Sequence, residues 1–244
     1  MKSIGIASGK GGVGKTTVAT NLACALAKAN HRVMLVDGDL GLANVQLALG
    51  IHAKFNLGHY IRGEKPLSEV VITTPSGLKV VAGTSGDGAL ADLNPQKLSA
   101  VMTDLIGSCG PLDFLIFDAA AGVSSNVIPL LKLCDQALIV VRDDPSSIAD
   151  CYGIIKILKN EHDYEATLLL ANGVESENEG ANLHARVNSA CNKFLSTNVQ
   201  YLGHVVEDST VKESAKKYKP IVEAFPSAKA SVNFRALAKA IASV

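Results

Sequence analysis

Residues 3–17 read SIGIASGKGGVGKTT. Ser3–Ala7 has the apolar character of a short buried strand, Gly9–Thr16 (GKGGVGKT) is a glycine-rich loop, and Thr17–Ala29 continues as a helix. Strand, loop and helix in that order are the context in which G-x-x-x-x-G-K-[ST] cradles phosphate rather than merely turning the chain. Gly11, Gly12 and Gly14 permit backbone conformations that a Cβ forbids, so the loop can aim its N–H groups at an anion. The helix start behind the loop reinforces that preference. Lys15 is spaced to reach β- and γ-phosphates, and Thr16 to place its hydroxyl on Mg²⁺. The candidate nucleotide-binding set is therefore Gly11, Gly12, Val13, Gly14, Lys15, Thr16 and Thr17. A bare connecting turn is the alternative, and the apolar strand before the loop weighs against it.

The rest of the chain fits an α/β protein built on that turn. A chain of 244 residues can bury one sizeable core, and the expectation is a single domain over 1–244. Hydrophobic residues make up 48% with few aromatics, which suits buried Val/Ile/Leu strands and disfavours a disordered chain. Formal net charge is zero, so no global charge favours nucleic acid or an anionic membrane. Cys24, Cys109, Cys134, Cys151 and Cys191 form no C-x-x-C pair, which gives little support to a zinc or iron–sulfur site and suits a reducing cytoplasm. No apolar run approaches the ~20 residues of a membrane span, and the N-terminus enters the first strand with no expected leader.

Further strands are expected at Arg32–Asp37, Leu78–Ala82, Asp113–Asp118, Gln136–Val141, Ala166–Ala171 and Val199–Val205. Helices are expected at 67–71, 95–106, 124–133, 146–159, 181–195, 211–217 and 230–242, with a loop and short helix over 38–50 and a flexible connection over 83–92. Strands apolar on both faces alternating with helices predict a three-layer α/β/α P-loop NTPase domain with a mostly parallel central sheet. Ligands of such sheets sit at the carboxyl ends of the strands. The P-loop, Asp37–Asp39, Asp118–Gly122, Asp143–Asp144 and Asn172 all fall at such ends.

Asp118 closes an apolar strand and is placed to hold Mg²⁺, as the second carboxylate of a P-loop site does. Gly122 allows the following backbone to approach the γ-phosphate. Asp37 and Asp39, in V-D-G-D-L-G, can face one site, one near the metal's water shell and the other orienting the attacking water. An Asp-Gly turn with a capping carboxylate explains the same spacing, which does not choose between them. Asn172, after L-L-L-A, offers a donor and an acceptor to a base edge. The six histidines show no ligand spacing, and Lys216, Lys217 and Lys219 read as a solvated face.

Lys10, immediately after the first glycine, resembles the signature lysine of the deviant Walker A loop of MinD/ParA ATPases. With DLGLANVQLALG (39–50), DAAAG (118–122), DPSSIADCY (144–152) and EAFPSAKASVNF (223–234), nearly the whole chain resembles the FlhG/FleN proteins, MinD-like ATPases that set flagellar number. The resemblance implies ATP and Mg²⁺ as cofactors, slow ATPase activity and a homodimer formed on ATP. It implies that Lys10 reaches the partner's nucleotide, that Lys15 and Asp39 act in hydrolysis, with Asp39 orienting the water and Asp37 supporting it. Thr16, Asp37 and Asp118 would serve the metal, Thr17 the α-phosphate, and Asn172 and Asp208 the base.

Implied partners are the flagellar GTPase FlhF, C-ring components or a FleQ-like activator, with a cytoplasmic protein placed at the cell pole or at the membrane periphery. Direct DNA binding is not expected. A ParA-type partitioning ATPase and a hydrolysis-impaired scaffold are the alternatives. The family's switch motif has Thr where Ala119 stands, and a proline where Val206 stands. Members carry an N-terminal extension and a membrane-binding C-terminal helix. The final helix here, with Val232, Leu237 and Ile241 and only Arg235 and Lys239 as cations, is expected to pack on the domain instead.

Overall fold

Runs that are apolar at every position become strands buried on both faces. The computed structural model describes residues 1–39, 44–84, 95–108, 110–123 and 126–243. The strands are β1 (Lys2–Ser8), β2 (Val33–Gly38), β3 (Val71–Thr73), β4 (Lys79–Val81), β5 (Phe114–Ala121), β6 (Gln136–Val141), β7 (Thr167–Val174) and β8 (Gln200–Val206). They form an eight-stranded sheet in the order β3-β4-β2-β5-β1-β6-β7-β8. Every neighbouring pair is parallel except β3–β4 at one edge.

The helices are α1 (Lys15–Lys28), α2 (Val45–Ala48), α3 (Leu57–Ile61), α4 (Leu67–Val70), α5 (Pro95–Ser108), α6 (Val127–Lys132), α7 (Pro145–His162), α8 (Glu177–Leu195), α9 (Ser209–Lys216), α10 (Ile221–Ala224) and α11 (Lys229–Ser243). Alternate strand residues feed two cores. Ile4, Leu35, Ile116, Leu138 and Leu170 pack with α1, α10 and α11. Met34, Val36, Leu115, Phe117 and Ile139 pack with α5 to α8 on the other face. This is the expected three-layer α/β/α arrangement, and the period of two along each strand produces it.

Three differences from the expected elements have local causes. The edge strand β3 follows α4 directly, and its three residues are too few to show a period. The five-residue α3 is set by its cap: the Asn56 side chain accepts from the His59 backbone, and the His59 ring faces the Asn56 N–H. β7 runs on to Val174, so Asn172 lies inside the strand rather than just after it. In α11 the buried anchors are Phe234, Leu237 and Ile241, whereas Val232 is exposed. The connection expected over 83–92 lies mostly outside the described residues, as do Cys109 and the start of the helix expected at 124.

Among the described residues no helix is long and apolar enough to cross a membrane.

Candidate functional site

The site begins where β1 ends in the middle of the sheet, flanked by β5 and β6. Gly14 stands at the N-cap of α1 in the left-handed region (φ 91°), where only glycine is comfortable. A Cβ there would also lie 2.5 Å from the Asn172 amide nitrogen. No acidic residue occupies the first turn of α1, so its N–H groups face the loop uncompensated. The Gly122 N–H donates to the Ser8 carbonyl (2.8 Å), which ties the chain leaving β5 to the chain leaving β1.

Two lysines of the loop have different environments. Lys15 is buried and its Nζ lies 2.8 Å from Asp118 Oδ1, with Asp118 1% exposed. Burial raises the Asp118 carboxyl above its ordinary value, while Lys15 and the Thr16 hydroxyl pull it back. Lys10 points away from that pocket. Its Nζ donates to Asp144 Oδ1 (2.8 Å) and to Ser146 Oγ (2.6 Å), and both ionic partners are about one third exposed. Asp144 is the N-cap of α7 through the Ser147 N–H. Its carboxyl is held well below the usual range by Lys10, with Ser146 and the Ser147 N–H contributing.

Asp37 and Asp118 are register partners across β2 and β5, so two carboxylates end adjacent strands side by side. Asp37 is fully buried. Its Oδ1 accepts from the Asp39 N–H (3.1 Å), and its Oδ2 from the N–H groups of Asn44 and Val45 (both 3.0 Å). It thus gathers both ends of the segment between β2 and α2, which is a capping role. Burial pushes the Asp37 carboxyl up to about 7; the Val45 N–H works against this, and the charge of Asp118 adds to it. Asp39 is half-buried and close enough for its charge to act on both Asp37 and Asp118. Ala119 is fully buried opposite Gly38.

Asn172 Nδ2 donates to the Val13 carbonyl (2.6 Å) and so ties strand β7 to the loop. Asn172 lines a groove with Gly14, Thr17, Val206 and Asp208. Asp208 caps α9 by accepting from the Thr210 N–H (3.0 Å) and also accepts from the Ala230 N–H (3.2 Å) at the start of α11. Its carboxyl is lowered, first by the Thr210 hydroxyl and then by these N–H groups. The structure therefore gathers Asp37, Asp39 and Asp118 beside Lys15, and sets Asn172 and Asp208 on a groove with Gly14 and Thr17, with Asp37 and Asp208 engaged mainly with backbone. Sequence reasoning did not find Asp144 and Ser146 as partners of Lys10, nor Arg142 and Glu207 on the groove. The D-D-P-S-S run after β6 carried the only local signal for the first pair.

Residues 4–221 match the family described as the CobQ/CobB/MinD/ParA nucleotide binding domain. The chain belongs to this family. It is 38% identical over 241 residues to the antiactivator FleN of Pseudomonas aeruginosa, covering 99% of this chain and 86% of that protein. It is 33% identical over 219 residues to the flagellum site-determining protein YlxH of Helicobacter pylori, covering 89% of this chain and 74% of that one. Among solved structures, the septum site-determining protein MinD of Pyrococcus horikoshii, complexed with Mg-ADP, superposes with a TM-score of 0.81 at 27% identity, covering 98% of this chain and 95% of that chain.

The donor set suits the magnesium of a MinD/ParA-family nucleotide site. Among the described residues no cluster of three or more His, Cys, Asp or Glu side chains could hold a metal by itself. A hydroxyl at Thr16 beside the Asp118 carboxylate is the set expected for Mg²⁺, which takes few protein ligands and relies on phosphate and water for the rest.

Proposed function

We propose that this MinD/ParA-family chain is an ATP-switched homodimer that hydrolyses ATP slowly and regulates flagellar number or placement through protein partners. The observation that carries the proposal is the second lysine. Lys15 serves the chain's own phosphate pocket, whereas Lys10 is held outside it on Asp144 and Ser146. A cation held outside the pocket of its own chain supports a role across a subunit interface. The flagellar assignment rests on the similarity to FleN and YlxH.

In this reading the loop N–H groups and Lys15 hold the phosphates, Thr16 and Asp118 hold Mg²⁺, and Asn172 meets the base. Bound Mg²⁺ supplies charge neutralisation on the phosphate oxygens. Asp39 orients the attacking water, and Asp37 fixes the Asp39 backbone through the hydrogen bond to its N–H. Light scattering after size exclusion tests the switch: a dimer with Mg-ATP, a monomer with Mg-ADP, and an Asp39→Ala dimer that persists because hydrolysis falls ~100-fold or more. Monomers under every condition sink the dimer. Deleting the gene tests the cellular role, and an unchanged flagellar count per cell removes it. A scaffold without turnover is the second reading, favoured by Ala119, which puts no hydroxyl beside the phosphate end. Phosphate release below the detection limit with retained ATP-dependent dimerisation selects it.

A further inference from the structure

The groove that holds Asn172 is also lined by Arg142 at the end of β6 and by Glu207 just after β8. The two side chains pair across it, with Arg142 Nη2 3.1 Å from Glu207 Oε2. Backbone space has been cleared for them. Gly173 has φ +67°, and a Cβ at that position would lie 2.8 Å from Arg142 Nη2 and 2.9 Å from Glu207 Oε2. The pair therefore rests on the glycine that directly follows Asn172. Both partners are well exposed, at 39% and 52%, so the pair contributes little to stability.

Base chemistry gives the arrangement a use. Adenine presents an amino group at position 6, where guanine presents a carbonyl. Asn172 donates through one N–H of Nδ2 to the Val13 carbonyl, which fixes the rotation of the amide and leaves Oδ1, an acceptor, among the atoms it offers to a base. That acceptor suits the adenine amino group. Arg142 and Glu207 have the opposite bias when free. A guanidinium pairs bidentately with guanine O6 and N7. A carboxylate accepts from the guanine N1–H and N2–H₂ groups, for which adenine has no equivalent pair. Bound to each other, each group is already engaged.

We infer that the Arg142–Glu207 ion pair is a specificity device: each member masks a guanine-seeking group, which leaves base choice to the oriented amide of Asn172. This rests on the reading of the groove as the base site of an ATP-binding protein. Arg142 and Glu207 are specificity-determining residues of that site and take no part in the chemistry.

The test measures dissociation constants for Mg-ATP and Mg-GTP by titration calorimetry, with melting temperatures alongside. The proteins are the wild type, Arg142→Ala, Glu207→Ala and the double variant. Lys212 lines the same groove, so Arg142→Ala is also made with Lys212→Ala to prevent a substitute ion pair. Each single variant is expected to lose about tenfold of the preference for ATP over GTP. The double variant, which has neither guanine-seeking group, regains it, and all variants melt close to the wild type. Unchanged preference in the single variants, equal weakening of both nucleotides, or a double variant no better than the singles overturns the inference while leaving ATP binding intact. A wild type that binds neither nucleotide overturns the base-site reading itself and this inference with it.

Discussion

The two parts of the candidate site handle charge in opposite ways. At the end proposed for phosphate, Lys15, Asp118 and Asp37 are buried at the ends of β1, β5 and β2 and answer to one another. At the end proposed for the base, Arg142, Glu207 and Asp208 stand at the ends of β6 and β8, reachable by water, and each is satisfied by a neighbour in the chain. Charges at the first end are strong because water is excluded, and costly to leave unpaired. Those at the second end are screened and cheap to rearrange, which suits discrimination by hydrogen-bond pattern.

The largest break in this contrast should come from Lys15→Ala. It removes the phosphate lysine and strands a buried carboxylate, so nucleotide binding is lost and stability drops by about 3–5 kcal/mol. Calorimetry and denaturant unfolding read both, and an unfolding midpoint equal to the wild type would contradict the buried pairing. Asp37 supplies the next effect. Its carboxyl sits near 7 in the folded chain against an ordinary value of 3.8. The folded state therefore binds the proton more tightly between those values, and stability falls as pH rises from ~4 to ~7 before levelling. The slope from this one group reaches at most about 1.4 kcal/mol per pH unit, and Asp37→Asn should flatten it.

At the base end the expected effects shrink. Asp208→Ala removes the cap of α9 and the contact to α11, for a loss of about 1–2 kcal/mol. Thermal melting measures this, and a drop as large as that of Lys15→Ala would erase the contrast between the two ends. Asp144→Asn is milder still. It weakens the hold on Lys10 at an exposed site, so the melting temperature changes little. The ATP needed for half-maximal dimerisation should fall a few-fold, as light scattering would show. A rise instead would mean that Asp144 assists Lys10 in the dimer rather than restraining it.

The strand–loop–helix unit and the pairing partner of Lys15 were legible because their residues lie in short runs with fixed spacing. G-K-G-G-V-G-K-T and the apolar strand closing on Asp118 each signal their geometry locally. The central parallel strands were legible for the same reason, being largely apolar runs. Pairings that depend on topology were not. Lys10 and Asp144 are 134 positions apart, and Arg142 and Glu207 are 65 apart. Each pair meets only because β1, β6, β7 and β8 are ordered as they are. The division of labour between Asp37 and Asp39 was also closed to spacing. It turns on three backbone N–H groups converging on one carboxylate, which no side-chain pattern encodes.

The Lys15–Asp118 contact makes Asp118 a tethered competitor. A carboxylate fixed 2.8 Å from the lysine competes for it without having to be recruited from solution. In the proposed ATP site, nucleotide binding would accordingly be an exchange of partners rather than a simple capture. Its affinity measures the difference between two ion pairs. Anything that engages Asp118 elsewhere shifts that difference in favour of the phosphate.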